Sequence, residues 1–172
     1  MKHLAALLSV LIFCGTASAQ APQNQTPLDP DGPVAFFGVT FLDTSTEGDY
    51  FGERADQSAR IELMEDYVRD WFTDNGFAFV DLAPVREELD RTVNPADCYG
   101  CELRMGEKLD AAYVLVGEVQ KVSNLILSMN LVMRDVETGR MVRGQSVEIR
   151  SNTDDSWLRG TRYILKNNFF KS

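Results

Sequence analysis

Residues 112–135 read AYVLVGEVQKVSNLILSMNLVMRD, two strands joined at a tight turn. In the second, Leu125, Leu127, Met129, Leu131 and Met133 alternate with Ile126, Ser128, Asn130, Val132 and Arg134, so one face is apolar and the other largely polar. That pattern marks an antiparallel strand covered on one side. Ser123 and Asn124 make the turn before it, residues 137–140 (ETGR) make the turn after it, and residues 141–149 form a further strand. Upstream, residues 34–42 (VAFFGVTFL) are a nearly continuous apolar, β-rich run, as expected of a strand covered on both faces. From 54 to 75, Ile61, Met64, Val68, Trp71 and Phe72 recur at helical spacing, and Gly76 stands where the helix should end. Residues 77–82 (FAFVDL) read as a short strand, residues 84–93 as a short helix with Pro84 in its first turn, and residues 101–109 as another. A terminal helix spans 157–169, with Asp154, Asp155 or Ser156 available to cap it. Leu158, Leu165 and Phe169 should pack on the sheet, and Trp71 and Trp157 belong in or near the core. The order β-α-β-α-α-β-β-β-α predicts one α/β (α+β) domain over 34–172, with a mixed sheet and no internal repeat.

The first nineteen residues set the compartment. Lys2 and His3 give a basic start, residues 4–15 an apolar run, and Ala17-Ser18-Ala19 a small-x-small cleavage signature, so residues 1–19 read as a secretory signal peptide cut after Ala19. Acylation of Cys14 would need a small residue before it, and Phe13 stands there. The apolar run is shorter than the roughly 20 residues a membrane span requires, and no later stretch is longer. Residues 20–33, with Pro22, Pro27, Pro30 and Pro33 among polar residues, predict a mobile leader. The expected location is the periplasm.

Composition then excludes chemistry. With 17 Lys+Arg against 26 Asp+Glu the net charge is -9, and -10 once Lys2 is removed, which is the wrong sign for a nucleic-acid partner. The single histidine is His3, so the mature chain holds no imidazole for Ser-His-Asp or Cys-His catalysis or for His-ligated zinc. Glu102 follows Cys101, so the C-x-x-C-H haem motif fails, and neither G-x-x-x-x-G-K-[ST] nor G-x-G-x-x-G occurs. No cofactor and no catalytic residue are expected.

Three segments carry candidate sites. Cys98 and Cys101 are the only mature cysteines of an exported chain, so a local disulfide is expected; as a staple it is structural, as a C-x-x-C near a helix start it would be a redox pair, and a metal or adduct site is a third reading. In the acidic loop, Asp43, Ser45, Glu47 and Gly48 fall at the first, third, fifth and sixth positions of the calcium-loop pattern. Glu53, however, comes one residue early and a strand precedes the loop. Asp43, Glu47, Asp49 and Glu53 are the ligands such a calcium or lanthanide site would use. The topology brings three loops to one sheet edge: 43–53, Ser123-Asn124 and 150–155. Asp43, Ser45, Glu47, Asp49, Ser123, Asn124, Arg150, Asn152, Asp154 and Asp155 form the expected binding surface, against which stands ordinary turn and cap chemistry. Arg159, Arg162, Lys166 and Lys171 complement the dipole of the terminal helix or face an anionic partner.

Residues 120–134 (QKVSNLILSMNLVMR), 135–140 (DVETGR), 43–49 (DTSTEGD) and 150–163 (RSNTDDSWLRGTRY) resemble a family of small secreted bacterial proteins known only as a domain of unknown function. More loosely, the strand at 34–42, the tract at 109–119 (LDAAYVLVGEV) and the D-x-x-T-G hairpin are similar to the periplasmic α/β domain of TolB, CsgG and LpoB. This resemblance implies a non-enzymatic interaction or accessory module with another periplasmic protein as partner. The closer family implies an accessory role beside periplasmic quinoprotein dehydrogenases. Oligomeric state is not implied either way.

Overall fold

The computed structural model describes residues 27–52 and 54–171, and the signal-peptide reading, with His3 and Cys14, lies outside them. Four strands form one sheet in the order β1 (Val34–Asp43), β2 (Tyr113–Ser123), β3 (Ile126–Asp135), β4 (Met141–Arg150). β1 and β2 are parallel, and the two hairpins that follow are antiparallel, which is the mixed sheet the sequence implies. Helices α1 (Thr46–Phe51), α2 (Ala55–Asp74), α3 (Arg86–Asp90) and α4 (Cys101–Lys108) lie in the β1–β2 connection, and α5 (Asp154–Ile164) follows β4.

The alternation of β3 organises the larger core. Leu127, Met129, Leu131 and Met133 are all fully buried against α2 and α5, where Met64, Val68, Phe72, Trp157, Ile164, Leu165 and Phe169 meet them. Leu125, expected on this face, is in the turn and 70% exposed. A smaller cluster on the opposite face joins Ala35, Phe37, Val114 and Val116 to Val85, Cys101 and Met105, so α4 covers the β1–β2 side of the sheet. In β1 the alternation slips, because two residues, Phe37 and Gly38, stand between the partners of Leu115 and Gly117. Gly38 takes φ +85°, and a Cβ there would lie 2.7 Å from Oε1 of Glu65. Glu65 of α2 instead accepts the Val39 amide at 2.8 Å.

Several expectations are corrected. Residues 77–82 make a single parallel bridge, Val34 to Phe79, rather than a strand, because Asp81 accepts from the Ala83 amide and Pro84 opens a tight 3-10 turn (Ala83–Val85) that carries the chain away. The acidic loop contains α1, capped by Ser45. Thr153 caps α5, with Ser156 completing a capping box, and α5 continues as a π turn over Leu165–Phe169. Leu158 is only half-buried, whereas Trp157 is wholly so; Trp71 is packed against the core edge. Residues 27–33 lie on the domain: Leu28 packs on the core and the Pro33 carbonyl accepts the amides of Ala112 and Tyr113.

Candidate functional site

At the C-terminal end of β1 and β2, register sets Asp43 beside Lys121. Lys121 continues the inward row of Leu115, Gly117 and Val119, so its side chain is 1% exposed where the core meets the loops. Its ammonium lies 3.0 Å from Oδ2 of Asp43 and 3.3 Å from Oε2 of Glu47. Asp43 also accepts from the backbone amide and hydroxyl of Ser45 and from the side-chain Nε2 of Gln57. Burial pushes the Asp43 carboxyl up, but the hydrogen bonds of Ser45, Lys121 and Gln57 outweigh it and hold it below the ordinary carboxylate value. Gly48 permits this approach, since a Cβ there would come within 2.6 Å of the Asp43 carboxyl carbon.

From Lys121 the network reaches the other loops. Glu47 accepts from the Asn124 side chain at 2.7 and 2.8 Å, and the Asn124 carbonyl accepts the Asn152 amide at 3.1 Å. Asn152 Oδ1 in turn accepts Nε1 of buried Trp157 at 2.9 Å. Asp154 meets Arg60 of α2 at 2.9 Å. These bonds link the three loops into one rim, and a cavity of about 310 Å³ lies between the start of α2 and the other two loops, lined by Gln57, Asn124, Asn152 and Thr153. Ser123 serves the turn, accepting the Leu125 amide; Asp155 pairs with Arg159, away from Lys121; Arg150 is exposed. Glu53 and the Asp49 side chain lie outside the described residues. A calcium ligand set needs free carboxylate oxygens, and here Asp43 and Glu47 both face an ammonium.

Lys121, Gln57 and Arg60 escape a reading of motifs. The signal for Lys121 is in the sequence nonetheless, as a lysine at an inward-facing position of an apolar strand. Beside the rim, a groove of about 580 Å³ follows the outer edge of β1 from Val39 to Asp43, between Arg54, Gln57 and Ile61 on one side and Thr92, Val93 and Pro95 on the other.

Cys98 and Cys101 form a disulfide with Cα atoms 5.4 Å apart. Tyr99 (φ +55°) and Gly100 (φ +82°) close the loop in left-handed conformations, and Tyr99 is 96% exposed. Cys101 opens α4 and is buried. Oε2 of the buried Glu102 lies 3.2 Å from the Cys98 sulfur, and its other oxygen is 3.6 Å from Arg134. Among the described residues these three form the close set of potential metal donors, with the two sulfurs already bonded to each other.

The fold is shared with solved structures. The PelC dodecamer from Paraburkholderia phytofirmans aligns with a TM-score of 0.50 at 12% identity, over 82% of this chain and 89% of that one. The LpoB C-terminal domain from Salmonella enterica gives 0.49 at 15%, over 72% and 86%. TolB from Acinetobacter baumannii gives 0.43 at 11%, over 84% of this chain and 30% of that one. At 12% identity the likeness to PelC speaks to fold alone. No curated protein matches. Among the described residues no helix is long and apolar enough to cross a membrane. The family DUF3280, described as a protein of unknown function (DUF2380), matches residues 33–169, from the start of β1 to the end of the π turn, and the chain belongs to that family.

Proposed function

We propose that the protein is an exported, non-catalytic accessory module that docks another periplasmic protein on the rim around Lys121. The observation that carries this reading is the buried lysine itself: its two carboxylate partners and Asn124 fasten separate loops into one preorganised polar surface. Preorganisation lowers the ordering cost of association. The rim offers hydrogen-bonding groups but no imidazole, and the groove along β1 adds apolar wall beside it. PelC, similar in fold, assembles as a dodecamer, which supports a fold that works by association. A periplasmic quinoprotein dehydrogenase, the partner the family resemblance implies, is the first to try.

Photo-crosslinking in intact cells tests the reading. A benzophenone residue at Tyr50 (84% exposed) or Leu125 (70% exposed), both beside the rim, should trap the same adduct, and one at Glu87 should not. Equal trapping at all three, or none at the rim, removes the proposal.

A second reading, a thiol-disulfide protein, is favoured by one observation: the Glu102 carboxylate beside the Cys98 sulfur could accept a proton from the reduced thiol. Equilibration against a thiol buffer decides it. A potential of roughly -120 to -230 mV supports exchange, and one below about -300 mV leaves a structural staple.

A further inference from the structure

An edge strand offers unpaired backbone groups to any passing strand unless something covers them. β4 is such an edge, paired only with β3. The Ser151 amide donates to Leu125, so odd-numbered residues in this half of the hairpin turn their backbone groups to β3 and even-numbered ones turn theirs outward. At Gly144 and Ser146 one outward group each is taken from within: Asn168 accepts the Gly144 amide at 3.2 Å, and the Gln145 side chain donates to the Ser146 carbonyl at 2.9 Å. Glu148 and Arg150 follow, with no backbone partner on the outward side among the described residues. Beside them the edge borders a groove of about 500 Å³ reaching Arg159, Gly160 and Tyr163 of α5, and Tyr163 is 55% exposed.

We propose that this bare end of β4 pairs antiparallel with the same segment of a second copy, about a two-fold axis at Ile149. Three observations choose this occupant and register. Centring on Ile149 sets Glu148 opposite Arg150 of the second copy and Arg150 opposite its Glu148, so the outward amides and carbonyls of both residues find partners. Both side chains lie on the face of the sheet that α2 and α5 leave open, so each acid meets a base twice over. The register centred on Glu148 would place two carboxylates face to face, and one centred on Val147 would need the Ser146 carbonyl that Gln145 already occupies and leave Arg150 opposite the covered Gly144. The segment carries no proline or lysine to repel a strand. Pairing here joins two four-stranded sheets into one.

Sedimentation velocity on the exported protein over about 1 to 100 µM tests this. Wild type should show a concentration-dependent dimer. Glu148→Arg alone and Arg150→Glu alone, each setting like charges opposite one another, should weaken it about tenfold, and the double variant, which restores opposite charges, should recover it. Thermal melting of each variant checks that the monomer is folded. A wild type that stays monomeric at the highest concentration overturns the proposal. So does a dimer indifferent to the single reversals, or one that the double reversal fails to restore.

Discussion

Two carboxylates show how single residues set acid behaviour in opposite directions. Asp43 is raised by burial but more strongly lowered by Ser45, Lys121 and Gln57, so its contribution to stability is present above the unfolded value, about 3.9, and is lost as pH falls through the lower folded one. Glu65 is the reverse: burial raises it, and the Val39 amide and Arg69 only partly compensate. Its ionised form is the strained one, so stability rises as pH falls through the raised value towards the unfolded one, about 4.3. Melting temperature followed from pH 7 into the acid range should separate the two. Glu65→Gln should abolish the upturn and keep an acceptor for Val39, while Asp43→Asn should flatten the fall below about pH 4 and lower stability at pH 7 by roughly 3 kcal/mol. A wild-type profile unchanged by either substitution would remove both groups from the acid balance. Neither residue's role is legible in a linear pattern. Glu65 reads as one more acid on a helix, and only the bulge at Gly38 makes it the acceptor for an edge amide.

At the level of elements the sequence was most legible where burial is one-sided and long. β3 and α2 follow their periodicities to within a residue or so, because slipping either would turn a whole row of apolar side chains to water. It was least legible where a short apolar run depends on its neighbours. Residues 77–82 have strand composition, yet one bridge to Val34 is all that forms before Asp81 and Pro84 turn the chain. The topology still brought the three expected loops together, although the lysine that ties them lay outside any motif. The Cys98–Cys101 link belongs to this scale too, since it closes the left-handed turn that starts α4 and tucks Cys101 under the smaller core. Closing so short a loop is worth about 2 kcal/mol in the chain-entropy model. A Cys98→Ser, Cys101→Ser double variant should therefore unfold at lower denaturant by about that amount with its m value kept, and still be trapped at the rim. Full stability with lost partner trapping would instead place function in the sulfurs.

For the molecule as a whole, charge and shape pull against each other. The sequence carries a net charge of -9, so two copies repel at long range, while the proposed β4 contact is locally balanced, with Glu148 facing Arg150 and Arg159 of α5 nearby. Screening acts on both, but unequally. Two exposed ion pairs are worth little, roughly 0.2 to 1 kcal/mol each, and their loss to salt is correspondingly small. The repulsion sums over two whole surfaces and is screened strongly once the Debye length falls from about 30 Å at 0.01 M to about 8 Å at 0.15 M. Added salt should therefore strengthen the dimer, which distinguishes backbone pairing on an acidic protein from an association held by charge. The same argument orders the variants: Glu148→Arg makes each copy less negative and should flatten the salt response, whereas Arg150→Glu makes each more negative and should steepen it. Sedimentation at the two ionic strengths reads this directly, and a dimer that dissociates as salt rises would mean that ion pairs, rather than the bare strand edge, hold the copies together.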